Sequence, residues 1–295
     1  MAVLDVIQTP AFQQRFFFLA KRFIAGESVE EAMDAVAALN AQGMTATLDF
    51  LGEDVTSPAE ADRTRDAYFE LLRAVRARDV ETNVSVKLTA MGLLVDEDVA
   101  LDNLLAVAGA AASNRDPFVR IDMEGSAVTD ATLRVFERAY ARTPNVGPVL
   151  QAYLKRTPDD VERMIELRAR VRLCKGAYGE PAEIAYKDMP TIRRAFVRSA
   201  EALLERGTYP GIATHDARLI EAVEVFARER GIGRDRFEFQ LLYGVRPELQ
   251  RRLVADGYRV RIYVPYGTHW AGYFYRRVTE RKENVFFALR SLLQR

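Results

Sequence analysis

Arg276 and Arg277 stand side by side in ring-rich surroundings, Tyr263, Tyr266, Trp270, Tyr273 and Tyr275. Two adjacent guanidiniums offer a carboxylate or phosphate a fork of donors that lysine cannot supply. Glu280 falls three and four residues on, within helical reach of both. Lys87 closes the segment Ser85-Val86-Lys87-Leu88-Thr89, where an apolar strand would ordinarily hold valine or leucine. A buried lysine needs a charged partner or sheds its proton. Asp122 is the expected partner, with Glu124 on the same face two residues away. Such a pair could serve chemistry or merely plug a barrel mouth, and a desolvated lysine also suits a Schiff base. Arg172, Lys175, Gly176, Ala177 and Tyr178 crowd another segment end, where small residues between a cation and a ring let a planar, anionic ligand approach the backbone. Thr214, His215 and Asp216 end a further segment, in a His-Asp pairing that is more often structural than catalytic.

Apart from the arginine pair, which follows the last of them on a helix, these residues fall at the ends of eight short β-branched or aromatic runs separated by helical stretches: Met44 to Leu51, Asn83 to Thr89, Phe118 to Glu124, Val149 to Leu154, Val171 to Tyr178, Gly211 to Asp216, Arg236 to Tyr243 and Tyr258 to Pro265. Strand-helix repetition on this scale predicts a parallel sheet, because parallel neighbours need a crossover and a helix supplies it. Eight units predict a closed (β/α)8 TIM-like barrel. Its strand C-terminal ends share one mouth, so Glu53, Lys87, Asp122, Gln151, Lys175, His215, Gln240 and Tyr263 are expected to converge there. Residues 1–42 read as an N-terminal helical extension and 43–295 as a single catalytic domain. In the extension Phe12, Phe16, Leu19, Ala20, Phe23 and Ile24 form one apolar stripe, and a second helix begins after the N-cap Ser28, with Glu31 three residues on, and stops at Gly43. Val285, Phe286, Leu289, Leu292 and Leu293 lie on one face of a C-terminal helix, which reads as a cover for the core.

Composition removes several classes. The 42 basic and 42 acidic residues cancel, which excludes a nucleic-acid binder held by a broad basic surface. Cys174 is the single cysteine and there are two histidines, so neither an internal disulfide, a cysteine zinc cage nor the imidazole set of a metal-dependent amidohydrolase can be built. No run approaches the roughly 18 apolar residues that span a bilayer, and the N-terminus lacks a secretory pattern. The expectation is a cytoplasmic protein. No Walker loop is present, and Gly231-Ile232-Gly233 follows a helix, so it is no Rossmann turn.

The same segments resemble the proline dehydrogenase family, and within it the small monofunctional bacterial form, since no aldehyde-dehydrogenase or DNA-binding portion fits in 295 residues. The likeness runs from about Thr45 to the C-terminus. It is densest at Leu51-Gly52-Glu53, Ser85 to Thr89, Arg120-Ile121-Asp122-Met123-Glu124-Gly125, Gln151-Ala152-Tyr153-Leu154, Arg172 to Tyr178, Ala213-Thr214-His215, Phe239 to Gly244 and Arg276-Arg277. The resemblance implies a distorted (β/α)8 barrel that oxidises L-proline to 1-pyrroline-5-carboxylate on FAD, the first step of proline catabolism. It implies that Lys87, Arg276 and Arg277 hold the proline carboxylate while Tyr263 and Leu241 pack against its ring. It further implies that FAD is gripped by Met123, Gln151, Lys175, Gly176, Ala177, Thr214, His215 and Gln240, with Arg172 near the flavin N5 and Asp122 beside Lys87. Glu53 would ion-pair with Arg276 as a lid. Ubiquinone would accept the electrons in a peripheral encounter at the inner face of the cell membrane; the strength of that contact and homo-oligomerisation stay open. Gly179 and Asp216 depart from the tryptophan and asparagine common in relatives. Two other readings of the residues stand beside this one: a Schiff-base lyase or aldolase using Lys87 or Lys175, and a non-catalytic binder of an amino acid or carboxylate.

Overall fold

The computed structural model describes residues 20–279, with side chains through Tyr275. Eight parallel strands close into a barrel in sequence order: β1 (Thr45–Phe50), β2 (Thr82–Lys87), β3 (Val119–Asp122), β4 (Val146–Gln151), β5 (Arg172–Cys174), β6 (Gly211–Ala213), β7 (Glu238–Leu242) and β8 (Arg259–Tyr266). The pairing of β1 with β8, from Thr45 opposite Arg261 to Phe50 opposite Tyr266, shuts the cylinder. Each strand falls inside or close to its predicted run. The largest offset at a strand's start is in β4, which begins at Val146 rather than Val149. Gly147 and Pro148 look like a loop in sequence, yet a side chain at Gly147 would meet the Arg170 carbonyl at 2.3 Å and the Phe118 ring at 2.6 Å. Glycine there admits neighbouring groups into the wall rather than breaking the strand.

Helices α1 (Val29–Asn40), α2 (Pro58–Arg78), α3 (Glu97–Ala111), α4 (Ser126–Tyr140), α5 (Thr157–Glu166), α6 (Met189–Arg206), α7 (Ala217–Glu229), α8 (Pro247–Ala255) and α9 (Trp270–Thr279) are the helical elements assigned to the described residues. Their starts follow the side chains that satisfy free backbone N–H groups. Ser28 with Glu31, and Ser57 with Glu60, form complete capping boxes on α1 and α2; Asp96, Asp188 and Asp216 cap α3, α6 and α7. The core lies between strands and helices, where Leu48, Val84, Val86, Ile121, Leu173, Phe239 and Ile262 are buried with Leu71, Val107, Phe136 and Phe196. Met33, Val36 and Leu39 bring α1 into this same core.

Inside the cylinder the chemistry changes. A (β/α)8 barrel usually fills its lumen with branched aliphatic side chains, but here the alternate positions carry Thr47, Asp49, Ser85, Lys87, Arg120, Arg172, Glu238, Gln240 and Arg261, all buried. A second apolar cluster seats the start of α9: Trp270, with no exposed surface, packs with Phe23, Ile24, Leu51, Val245 and Phe274, and its indole N–H donates to Glu27 Oε1 at 3.1 Å. Of the predicted N-terminal stripe, Ala20, Phe23 and Ile24 are thus buried, whereas Phe12, Phe16, Leu19 and the helix proposed for Asn284 to Leu293 lie outside the described residues.

Candidate active site

The mouth formed by the strand C-terminal ends is organised around two carboxylates, Asp122, partly buried, and Asp49, fully buried. Asp122, at the end of β3, accepts from Ser85 Oγ at 2.6 Å and Arg172 Nη1 at 2.8 Å on one oxygen, and from the Tyr263 hydroxyl at 2.6 Å on the other. It therefore binds side chains from β2, β5 and β8. The Arg172 guanidinium also donates to Gln240 Oε1 at 2.5 Å and lies 5.2 Å from the centre of the Tyr263 ring. Burial, then the Asp122 and Asp49 carboxylates, push the Tyr263 phenol well above its ordinary range, so it stays a donor.

Lys87 does not take Asp122 as its partner. Its Nζ donates to both oxygens of Asp49, at 2.8 and 3.0 Å, although Lys87 and Asp122 are register partners across β2 and β3. Asp122 already accepts from three donors, one of them the Arg172 guanidinium, while Asp49, fully buried on β1, has Lys87 as its cation among the described residues. Burial alone would lower the lysine pKa, but Asp49 and then Asp122 outweigh it and raise it above the ordinary value. Lys87 is a fixed ammonium, whereas a Schiff-base nucleophile must be neutral. Sequence reasoning missed Asp49; the signal was the one charged residue inside the strand-forming run from Thr45 to Leu51.

Gln151, buried, donates to the Glu124 carbonyl at 3.0 Å. Lys175 reaches Asp216 at 3.7 Å, and Arg193 holds the same carboxylate at 2.8 Å. Gly176 has φ +105°, and the Tyr153 ring lies 2.1 Å from where a Cβ would sit, so only glycine fits. Ala177 is exposed beside it. Thr214 is buried, and His215 Nε2 accepts the Leu242 N–H at 2.9 Å. Met123 and Leu241 face away from the mouth: both side chains are buried in the main core, because strand alternation turns the neighbours Asp122 and Gln240 inward. Met123 can offer the mouth its main chain only. Leu242, paired with Tyr263 in register and half-buried next to it, takes the inward position expected of Leu241. Glu53 is exposed at the rim with Oε1 4.0 Å from where a Cβ on Gly272 would lie, one helical turn before Arg276. Arg276 and Arg277 sit in α9; their side chains, and so the Glu53–Arg276 pair, lie outside the described residues. A cavity of about 520 Å³ is lined by Phe50, Glu53, Arg63, Lys87, His269 and Tyr273, among others.

Glu124 adds a titratable group to this wall. It accepts from the Thr89 N–H at 3.2 Å and hydroxyl at 2.6 Å, and burial pushes its pKa up to about 7 against those donors and Lys87. Among the described residues no cluster of histidine, cysteine and carboxylates could hold a metal ion. The site can therefore fix an anion beside Lys87 and present Arg172 and Lys175 to a planar, anionic ligand.

A buried-charge site on the strand ends of a closed barrel defines a (β/α)8 enzyme class. Three comparisons then narrow it. The proline dehydrogenase family model matches residues 32–290. A proline dehydrogenase of Deinococcus radiodurans is 40% identical over 302 residues, covering 99% of this chain and 97% of that one, and proline dehydrogenase 1 of Bacillus subtilis is 38% identical over 276 residues, covering 94% and 91%. Among solved structures, proline utilization A of Bdellovibrio bacteriovorus inactivated by N-propargylglycine superposes with a TM-score of 0.82 at 28% identity. That match covers 91% of this chain, which spans 33% of the larger protein. The chain belongs to the proline dehydrogenase family.

Two expectations follow from the charges. Asp49→Asn leaves the Lys87 ammonium buried without its carboxylate and is expected to cost about 3–5 kcal/mol of unfolding free energy at neutral pH, read by urea denaturation. Glu124 has a folded pKa above its unfolded one, so its contribution is complete below the ordinary glutamate pKa of 4.5 and is lost as pH rises through about 7. Stability should fall by on the order of 3 kcal/mol across that window from this group, and Glu124→Gln should remove that part of the slope in denaturation curves recorded from pH 4 to 8.

Proposed function

We propose that this chain oxidises L-proline to 1-pyrroline-5-carboxylate by hydride transfer to bound FAD and passes the electrons to a quinone. The observation that carries the reading is the convergence of Lys87, Arg172, Asp122 and Tyr263 at one rim, in a chain of this family whose α9 carries Arg276 and Arg277. The donor set suits the cofactor: Arg172 and Lys175 bring cations, Gly176 and Ala177 leave the rim low, and half-buried Ala213 and Leu242 give apolar edges. Gln151, Lys175, Gly176, Ala177, Thr214, His215, Gln240 and the main chain of Met123 would hold FAD, which supplies the hydride acceptor.

The protein's own residues do the rest. Lys87, fixed as a cation by Asp49, and the arginine pair of α9 bind the substrate carboxylate, and Tyr263 with Leu242 flanks its ring. Fixing the carboxylate orients the carbon that loses hydride and makes the transfer effectively unimolecular. Asp122, which accepts from Ser85, Arg172 and Tyr263, has the role in this scheme of holding Arg172 and Tyr263 in place. Glu53 closes the site against Arg276. The quinone reading, with a peripheral membrane contact and cytoplasmic residence, is supported by family membership. No helix among the described residues is long and apolar enough to cross a membrane.

The purified protein should be yellow, and L-proline should bleach it without oxygen. A protein that takes up no FAD, or one that binds proline calorimetrically without flavin reduction, would sink the reading, the second outcome in favour of a binding module. Borohydride trapping of a carbonyl compound on Lys87 or Lys175 would favour the lyase. Arg276→Met and Arg277→Met should each weaken proline binding by roughly 2–5 kcal/mol while leaving FAD uptake unchanged, as measured by titrations with each ligand.

A further inference from the structure

Helix α4 begins at Ser126 after Gly125, which has no side chain with which to cap it. The cap comes from a distant loop. Glu180, 7% exposed, accepts the Ser126 N–H at 2.7 Å on Oε1 and the Ser126 hydroxyl on Oε2. Glu180 lies in the connection from β5 to α6, the segment that carries Lys175, Gly176 and Ala177. One end of that connection is pinned to the chain after β4, through Tyr153 N–H to the Lys175 carbonyl at 2.9 Å and the Tyr153 ring over Gly176. Farther along, Tyr186 N–H donates to the Tyr153 carbonyl and Lys155 N–H to the Ile184 carbonyl, both at 2.8 Å, while Lys187 Nζ donates to the carbonyl of Glu180 itself. Between these ties Ala177 and Gly179 are exposed, and the Glu180 carboxylate ties this connection to the start of α4, shortly beyond Asp122 at the end of β3.

We infer that Glu180 is a positioning residue for the cofactor: by bridging to the N-terminus of α4 it holds the span from Lys175 to Gly179 in the shape that receives FAD. The inference rests on the flavin reading above. A side chain that only stabilised α4 would be replaceable by any other cap, whereas a tether between loop and helix would not. Gly125 has φ −65° and ψ 161°, the extended conformation of an ordinary N-cap, so an aspartate placed there can cap α4 without reaching the loop.

The test compares wild type, Glu180→Ala, Glu180→Gln and the double variant Glu180→Ala with Gly125→Asp, each stripped of flavin and titrated with FAD by fluorescence quenching. Glu180→Ala should weaken FAD binding about tenfold or more through loss of preorganisation. Glu180→Gln, whose amide can accept from the N–H and donate to the hydroxyl, should keep near-wild-type affinity. The double variant should regain the thermal midpoint but not the FAD affinity, and hydrogen exchange of flavin-free protein over residues 175–188 should stay raised in it. Wild-type affinity in Glu180→Ala, or its recovery in the double variant, overturns the tether while leaving the function intact. A wild-type chain that takes up no FAD removes the functional reading and this role with it.

Discussion

The hydrogen-bonded carboxylate of Asp122 is the constraint on which the mouth depends. One side chain on β3 joins β2 through Ser85, β5 through Arg172 and β8 through Tyr263. In a low-dielectric lumen these are charge-assisted bonds, and each partner would be costly to leave unpaired. Arg172 and Tyr263 consequently have fixed rotamers before any ligand arrives, and Arg172 is tied a second time by Gln240. A site made this way needs little reorganisation when charge develops nearby.

The second pair, Lys87 with Asp49, follows the same logic on the adjacent wall. Further down the lumen Arg261 meets Glu238 at 2.7 Å and Asp116 at 3.0 Å. Buried ion pairs are weak contributors to stability compared with aliphatic packing, so a barrel that fills its lumen with them sacrifices stability for placement. The apolar layer between strands and helices supplies the cohesion instead, with Val84, Val86, Ile121 and Ile262 showing no exposed surface. Function and stability thus occupy opposite faces of the same strands. The mouth loops differ again: Glu53 and Asp54 are exposed, and α9 beside them is seated by Trp270 in an apolar cluster separate from the main core.

Much of the fold was legible because strands in this barrel alternate with helices whose caps are local. Ser28, Ser57 and Asp216 satisfy N–H groups within three residues of themselves, a pattern that a sequence displays directly. The runs ending at Tyr178 and Asp216 overshot β5 and β6, since Gly176 turns the chain at φ +105° and Asp216 already caps α7. Parity was the harder matter. A shift of one residue exchanges lumen for helix layer, which is why Leu242 and not Leu241 stands by Tyr263.

The sequence by itself determined the residue types: four cationic groups where apolar ones are usual, Lys87, Arg120, Arg172 and Arg261, and the eight runs that carry them. Types and local periods are properties of neighbours in the chain, so they survive without coordinates. Which acid meets which base was decided by tertiary structure alone. Asp122 and Asp49 lie on the strands either side of Lys87, which pairs with Asp49, while Ser85, Arg172 and Tyr263 from β2, β5 and β8 bind Asp122. The cap that Glu180 gives to α4 is of the same kind. Pairing between segments far apart depends on closure of the barrel, and no local pattern encodes it.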